Sequence, residues 1–188
     1  MRPSFVITLL TAFLLTGCAG QVQTTASSGE LELSKQARRH LLVHIDGSPS
    51  AKANPRWQQM EAAMRSHLDH QVFNALYQVT FVEGRRTNPL QPGLMVEVQI
   101  SDFNYQKQLP RYFLGPTISE AWVGTQVSFY DLQSGRALGS RTYRSSSSGW
   151  GGVFSAMSEK QVKAMSKRIV QDIRQAEDSA QQSLATLD

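Results

Sequence analysis

Cysteine is almost absent from this chain of 188 residues, which has one, Cys18. One cysteine cannot form an internal disulfide, so the hydrophobic core has to hold the fold together. Charged residues are also few, at 18%, and the formal net charge of +4 becomes +3 if the segment that contains Arg2 is removed. So small a positive excess is not typical of nucleic-acid-binding proteins, and we expect no nucleic-acid partner.

The first residues of the chain carry an apolar stretch that is too short for a transmembrane helix. Residues 5–15 fall well below the ~20 residues that such a helix needs, but they have the length of a signal-peptide core. The stretch follows Arg2 and ends in Leu15-Thr16-Gly17-Cys18, the pattern of a lipobox. We therefore predict a lipoprotein signal peptide over residues 1–17 and acylation of Cys18. The alternative, an ordinary secretory signal, leaves a lone thiol in an oxidising compartment without a disulfide partner.

Acylation of Cys18 predicts where the protein works. A diacylglyceryl group together with an amide-linked chain supplies at least two acyl signals, which is enough for stable membrane anchoring. Ala19 rather than Asp follows Cys18, and in a Gram-negative cell this is the usual sorting pattern for the outer membrane. We expect a protein held by its lipid on the outer membrane, with its domain facing the periplasm.

The mature chain of about 170 residues is long enough for one domain. Residues 18–38 combine the lipidated cysteine with Gln, Thr, Ser and Ala, which bury little, so we interpret them as a flexible tether. Residues 39–188 are predicted to form a single periplasmic α/β domain.

Apolar residues alternate in four stretches that predict strands, 40–46, 77–81, 94–100 and 121–129, and residues 136–144 are predicted to pair back as a fifth strand. Ile100 and Phe103 have opposite parity, which predicts a bulge near Ser101-Asp102. Ser134-Gly135 supplies a tight turn, so residues 120–144 read as a hairpin.

Apolar residues at helical spacing predict two amphipathic helices, from Asn54-Pro55 to about Leu76 and from Ser158 onward. The Gly- and Ser-rich stretch 145–152 is predicted to be irregular. Together these elements predict an α/β (α+β) two-layer sandwich in βαβββα order. Its sheet is mixed and contains an antiparallel meander, with both helices packed on it.

Several of these features resemble a known group of proteins. The stretch Leu94–Phe103, the turn Asp131–Gly135, Tyr143-Arg144 and the Gly-rich loop before the last helix, together with the lipobox, are similar to small bacterial outer-membrane lipoproteins of the YajG type. The resemblance would cover most of the chain. It implies the fold and the location given above and supplies no catalytic residues. The architecture of the family is similar to α/β modules of periplasmic proteins that assemble into envelope complexes, so the resemblance favours binding or assembly over catalysis.

The sequence has no motif that names a reaction. No Gly-x-Ser-x-Gly elbow or phosphate-binding loop is present, and the acidic residues Glu97, Asp102, Glu120 and Asp131 occur outside any recognisable motif. We therefore predict that the protein is not an enzyme and uses no cofactor, with an envelope hydrolase as the less favoured reading.

Four histidines offer a metal-binding alternative. His40 and His44 share one strand face, and His67 and His70 are three residues apart on a helix. A strand-edge pair and a helix-surface pair are the favoured interpretation, so we predict no metal site. Convergence of the four imidazoles would overturn that prediction.

Two aromatic loops are the candidate partner-binding segments. One carries Trp150 and Phe154 among glycines, and the other carries Arg111, Tyr112 and Phe113 in an unusually apolar connection. We predict a non-enzymatic binding or assembly accessory of an envelope complex, with a membrane contact through Cys18 and a protein partner of unknown identity. A small-ligand, glycan or metal-binding periplasmic protein is the alternative, and the oligomeric state is left open.

Overall fold

The computed structural model describes residues 21–29, 31, 33, 40–104, 122–146 and 157–185. These ranges contain six strands and three helices: β1 (Gln21–Ser28), β2 (His40–Gly47), α1 (Pro49–Lys52), α2 (Trp57–Asn74), β3 (Gln78–Phe81), β4 (Leu94–Asn104), β5 (Trp122–Asp131), β6 (Ala137–Ser146) and α3 (Met157–Ala185). Among these helices, none combines the length and the apolar character needed to cross a bilayer.

The strands form one mixed sheet in the order β1-β6-β5-β4-β2-β3. Strand β2 lies parallel to both β3 and β4, while β4, β5, β6 and β1 pair antiparallel in succession. The parallel pairing of β2 with β3 uses the intervening α2 as its crossover, as parallel neighbours require. The predicted mixed sheet with an antiparallel meander is confirmed.

The hydrophobic core lies between one face of the sheet and the helices α2 and α3. Alternate residues of β2, β4 and β5 point into it, and β2 shows a strict alternation of buried and partly exposed positions. The helices contribute stripes at helical spacing: Met60, Met64, Leu68 and Val72 from α2, and Val162, Met165, Ile169 and Ile173 from α3. The predicted two-layer sandwich is therefore confirmed, and the opposite face of the sheet, called the open face below, carries no helix from the described ranges.

The predicted bulge in β4 is confirmed. Ile100 pairs with Thr125, whereas Asp102 pairs with Gly124, so Ser101 is an extra residue on β4. The extra residue reverses the parity of the strand and lets both Ile100 and Phe103 point into the core.

The hairpin between β5 and β6 is also confirmed. Gly135 has a φ of +71°, which favours glycine at this position of the turn. The Asp131 carboxylate accepts hydrogen bonds from the Ser134 backbone N–H at 2.7 Å and from the Ser134 hydroxyl at 2.6 Å. These bonds lower the pKa of Asp131 below its ordinary value, although partial burial acts the other way.

The segment predicted to be a flexible tether contains an edge strand. β1 pairs antiparallel with β6 from Gln21↔Ser146 to Ser28↔Ser140, and Leu31 and Leu33 are buried beyond it. Most of the β1 side chains are exposed, so backbone hydrogen bonds to β6 hold the strand in place. For the same reason the sequence of β1 lacks the apolar alternation that predicts a strand. The prediction of a flexible tether is therefore wrong for Gln21–Ser28, Leu31 and Leu33.

The element order also differs from the predicted βαβββα pattern, since the order is ββααββββα. That pattern counts four strands, although five stretches were predicted to be strands and all five are present. Besides β1, the sequence reading missed α1, which Ser48 caps by accepting from the Ala51 N–H. Helix α2 begins at Trp57 rather than at Asn54-Pro55, because the Asn54 side chain accepts from the nearby Arg56 N–H within the preceding turn. Ser145 and Ser146, predicted to be irregular, continue β6.

Candidate functional site

The two ends of the sheet differ in what they carry. Gln21 of β1 pairs with Ser146 of β6, Ser146 pairs with Trp122 of β5, and Trp122 pairs with Asn104 of β4. This end, where β1 and β5 begin and β4 and β6 end, is called the anchor end. The opposite end, where β2, β3 and β4 begin, is called the far end.

The predicted partner-binding residues Arg111, Tyr112, Phe113, Trp150 and Phe154 lie outside the described residues, as does Cys18. The strands that precede their segments, β4 and β6, both end at the anchor end. Their assignment as binding residues stays a prediction.

The four histidines occupy two separate places. His44 lies on the open face, where its Nδ1 accepts from the Gly84 N–H at 3.0 Å and is 3.1 Å from the Val82 carbonyl oxygen. His67 lies on α2, where burial lowers its pKa, and the charges of Glu159 and Lys163 on α3 act on it in opposite directions. Within the described ranges, no three His, Cys, Asp or Glu side chains lie close enough together to hold a metal ion.

The acidic candidates have individual structural partners. Glu97 binds Arg85, Asp131 holds the β5–β6 turn, and Asp102 accepts from the Phe103 N–H at 2.7 Å. Glu120 lies outside the described residues. Each of the three described carboxylates is therefore engaged by its own structural neighbours.

A surface cluster of Arg85, Glu97 and Tyr130 lies on the open face. Arg85 donates from Nε to Glu97 Oε1 at 3.1 Å and from Nη2 to Glu97 Oε2 at 2.7 Å, a two-bond fork. Its guanidinium also donates to the Tyr130 hydroxyl at 2.7 Å and lies 3.9 Å from the centroid of that ring. The hydrogen bonds to Glu97 raise the pKa of Arg85. The cluster fixes the β3–β4 loop onto the open face.

The same loop closes a small secondary core on the open face. Met95 and Leu132 are fully buried, although they point away from the main core. The Asn88 N–H donates to the Leu132 carbonyl at 2.8 Å, and a Cβ on Gly93 would meet the Leu132 side chain at 2.7 Å. Loop 82–93 therefore packs on the far-end half of the open face.

A buried cluster of Tyr143, Asp172 and Arg168 lies between β6 and α3. The Tyr143 hydroxyl donates to Asp172 Oδ2 at 2.6 Å, and Arg168 Nε forms an ion pair with Asp172 Oδ1 at 3.0 Å. Burial, together with the hydrogen bond and negative charge of Asp172, raises the pKa of Tyr143, so the phenol stays protonated and donates. Tyr143 and Asp172 are buried, while 40% of the Arg168 side chain is exposed, so the hydrogen bond between tyrosine and carboxylate joins the helix to the sheet inside the core.

The far end exposes large apolar side chains. Leu76 is 93% exposed, Phe73 is 75% exposed, and Leu90 in loop 82–93 is 94% exposed. Phe73 and Leu76, called the apolar tip, belong to the C-terminal cap of α2: the Leu76 N–H donates to the Phe73 carbonyl at 3.0 Å, and the Tyr77 N–H donates to the Val72 carbonyl at 3.2 Å. This is the bonding pattern of a Schellman cap, in which glycine normally occupies the position that Leu76 takes here.

Leu76 is strained as well as exposed. Its φ is +64°, and it is the one residue other than glycine with a positive φ among the described ranges. A left-handed conformation costs a residue with a Cβ roughly 1 kcal/mol. The Schellman bonds at the end of α2 favour this conformation, but the isolated chain gains no burial from the side chain, so its exposure is not explained by the stability of the monomer.

The sequence reading missed the apolar tip, although it holds a signal. The buried residues of α2 recur every four positions from Met60 to Val72, and Phe73 falls off that stripe. An apolar aromatic on the polar side of an amphipathic helix is the pattern that would have identified it.

The fold has similar solved structures. A PelC dodecamer from Paraburkholderia phytofirmans has 13% identity over 79% of this chain and 96% of that chain, with a TM-score of 0.46. Protein XCC0632 from Xanthomonas campestris, of the family DUF330, has 13% identity over 80% and 95%, with a TM-score of 0.44. Lipoprotein GNA1162 from Neisseria meningitidis has 14% identity over 71% and 99%, with a TM-score of 0.40.

Comparisons of the sequence with protein families and with curated proteins give no match. No protein-family model matches the chain, and a search of the curated proteins finds no match. At such identities, function has to be argued from the residues of this chain.

Proposed function

We propose that this protein is a lipid-anchored envelope protein that acts by binding a protein partner, as a non-enzymatic accessory or assembly component. The observation that carries the proposal is the conformation of Leu76, which is strained at a φ of +64° and 93% exposed. A side chain that costs conformational energy and buries nothing in the monomer is suited to burial in a complex. Burying a leucine side chain stabilises a complex by about 1.5–3 kcal/mol, more than the roughly 1 kcal/mol of strain.

The proposed location rests on the sequence. The lipobox that ends in Cys18 supports acylation, and Ala19 supports sorting to the outer membrane rather than retention in the inner one. The resemblance to YajG-type lipoproteins agrees with this location and with a role in binding. Fractionation of the membranes and mass spectrometry of the N-terminal peptide measure location and acylation directly.

The binding proposal is tested by photo-crosslinking in intact cells. A benzophenone amino acid replaces Phe73, and the matched control carries it at Ala62, an exposed position more than two turns earlier on α2. We expect one defined envelope protein to be crosslinked from position 73 and not from position 62. No adduct at position 73, or equal adducts at both positions, would overturn the role of the apolar tip.

Variants at Leu76 separate binding from folding. Leu76→Gly removes the side chain and the backbone strain together, so we expect the adduct to disappear while the free energy of unfolding rises by up to about 1 kcal/mol. Leu76→Met keeps an apolar side chain of similar volume and should retain the adduct. Urea denaturation measures the stability of both variants, and an adduct that survives Leu76→Gly contradicts the proposal.

A further inference from the structure

We propose that the anchor end of the sheet lies against the lipid headgroups, with Trp122 and Arg144 in the headgroup layer and the apolar tip directed away from the membrane. This inference rests on the proposed acylation of Cys18. It goes beyond that proposal, because it assigns a membrane-contacting surface and an orientation to the folded domain.

The first step is the short distance between the lipid and the fold. Strand β1 begins at Gln21, so Ala19 and Gly20 alone separate it from Cys18. A peptide chain spans at most about 3.6 Å per residue, which keeps the Cα atoms of Cys18 and Gln21 within about 11 Å of each other. The start of β1 therefore cannot stand off from a bilayer that holds acyl chains on Cys18.

The second step is the set of strand ends that accompany the start of β1. The pairings Gln21↔Ser146, Ser146↔Trp122 and Trp122↔Asn104 place four strand ends in one row across the sheet. With about 4.8 Å between neighbouring strands, this row is about 14 Å wide. An anchor at one side of so narrow a row brings the whole row close to the membrane surface.

The third step is the chemistry of the side chains at this end. Trp122 is partly exposed, and the guanidinium of the exposed Arg144 lies 5.7 Å from the centroid of its ring. Tryptophan is enriched where membrane meets water, since its ring is apolar and its N–H needs a polar partner. An arginine guanidinium binds phosphate oxygens in a two-bond fork. Among the described residues, no carboxylate forms an ion pair with Arg144, in contrast to Arg85, which Glu97 holds.

The orientation separates the two surfaces. Strand β5 spans ten residues between the anchor end and the far end, a distance of about 30 Å. The apolar tip at the far end is then held in the periplasm, away from acyl chains that would otherwise cover it. A membrane anchor at one end leaves the opposite end open to a protein partner.

The test uses the acylated, full mature protein in vesicles of phosphatidylethanolamine and phosphatidylglycerol. Acylation blocks Cys18, so an introduced cysteine is the one free thiol and takes a fluorescent label. Gln23→Cys labels an exposed position near the anchor end, and Ala137→Cys labels an exposed position at the start of β6 near the far end. Phospholipids with a nitroxide on the headgroup quench the fluorescence of nearby labels.

We expect quenching at position 23 to exceed quenching at position 137 by at least threefold. Arg144→Glu should reduce quenching at position 23 in vesicles that contain phosphatidylglycerol. The matched reversal Arg136→Glu, at the exposed residue just before β6 at the far end, should not. Quenching is taken as the ratio of label fluorescence in nitroxide and in ordinary lipids, which removes any effect of the substitution on the brightness of the label.

The outcomes distinguish this inference from the proposed function. If mass spectrometry finds no acyl chain on Cys18, the anchor and the orientation fall together. If Cys18 is acylated and the two labels are quenched equally, the orientation is wrong and the anchor stands. If the orientation is as proposed but Arg144→Glu and Arg136→Glu act alike, the contact of Arg144 with headgroups is wrong.

Discussion

The two faces of the sheet each carry a cluster of one tyrosine, one carboxylate and one arginine. The buried cluster joins Tyr143, Asp172 and Arg168 beneath α3, and the surface cluster joins Tyr130, Glu97 and Arg85 on the open face. The carboxylate of the buried cluster has 8% of its side chain exposed, while that of the surface cluster has 23%. The two arginines are similarly exposed, at 50% for Arg85 and 40% for Arg168, so the difference in burial lies in the carboxylates and the tyrosines.

The direction of the tyrosine hydrogen bond differs between the clusters. Tyr143 donates to a carboxylate, whereas Tyr130 accepts from a guanidinium. In the buried cluster the loss of one partner strands another polar group in the core, which is costly. In the surface cluster water replaces a lost partner, so the same chemistry contributes little. We conclude that the buried cluster stabilises the fold, whereas the surface cluster mainly positions loop 82–93.

Removal of the buried carboxylate is the strongest test of this comparison. Asp172→Ala leaves the Tyr143 hydroxyl without its acceptor and Arg168 without its ion pair, so we expect a loss of about 3 kcal/mol in the free energy of unfolding. Urea denaturation measures it. Asp178→Ala, at an exposed position of the same helix, is the matched control and should cost less than about 0.5 kcal/mol. Similar losses in the two variants would remove the special role of Asp172.

Replacing each tyrosine by phenylalanine tests whether burial decides the contribution of its hydrogen bond. Tyr143→Phe keeps the buried ring and removes one hydrogen bond to a carboxylate, for which we expect a loss of about 2 kcal/mol. Tyr130→Phe keeps the ring under Arg85 and should cost less than about 0.5 kcal/mol, because water solvates the released guanidinium. The same denaturation experiment measures both. A cost for Tyr130→Phe that equals that of Tyr143→Phe would show that burial is not the deciding variable.

The dependence of the free energy of unfolding on alkaline pH tests the buried cluster independently. Burial and Asp172 raise the pKa of Tyr143 above its value of 10.0 in the unfolded chain. Above pH 10 the unfolded chain loses this proton and the folded chain keeps it, so stability falls as pH rises. The contribution reaches at most about 1.4 kcal/mol per pH unit. Denaturation of the wild type and of Tyr143→Phe from pH 8 to 11 measures it, and an unchanged slope in the variant would contradict the assignment.

Much of this fold could be predicted from the sequence, because alternation and helical spacing report which side chains enter the core. The strand up to Ile100, the bulge at Ser101 and the 120–144 hairpin are examples. Strand β1 could not be predicted in this way, since backbone hydrogen bonds hold it while its side chains stay exposed. The predicted start of α2 at Asn54-Pro55 was wrong, because the Asn54 side chain caps the preceding turn rather than the helix.

The candidate sites were harder to predict than the fold. Asp172 lies beside the apolar stripe of α3, and its partner Tyr143 is 29 residues away, so neither periodicity nor spacing connects them. The strain at Leu76 is a property of the backbone, and a leucine after a helix carries no sequence sign of a positive φ. Tertiary pairing and backbone conformation thus supply the information that the residue pattern lacks.

The smallest expected effect lies in the surface cluster and tests the other side of the comparison. Arg85 and Glu97 form a well-aligned pair, but half of the arginine side chain is exposed. A double-mutant cycle with Arg85→Ala and Glu97→Ala should therefore give a coupling energy of about 0.5 kcal/mol, which disappears in about 1 M salt because the charges are screened. The corresponding cycle for Arg168 and Asp172 should give a larger coupling that salt changes less. If the surface pair shows the larger, salt-resistant coupling, then the two-bond geometry of Arg85 outweighs burial, and loop 82–93 is held to the sheet more firmly than its exposure implies.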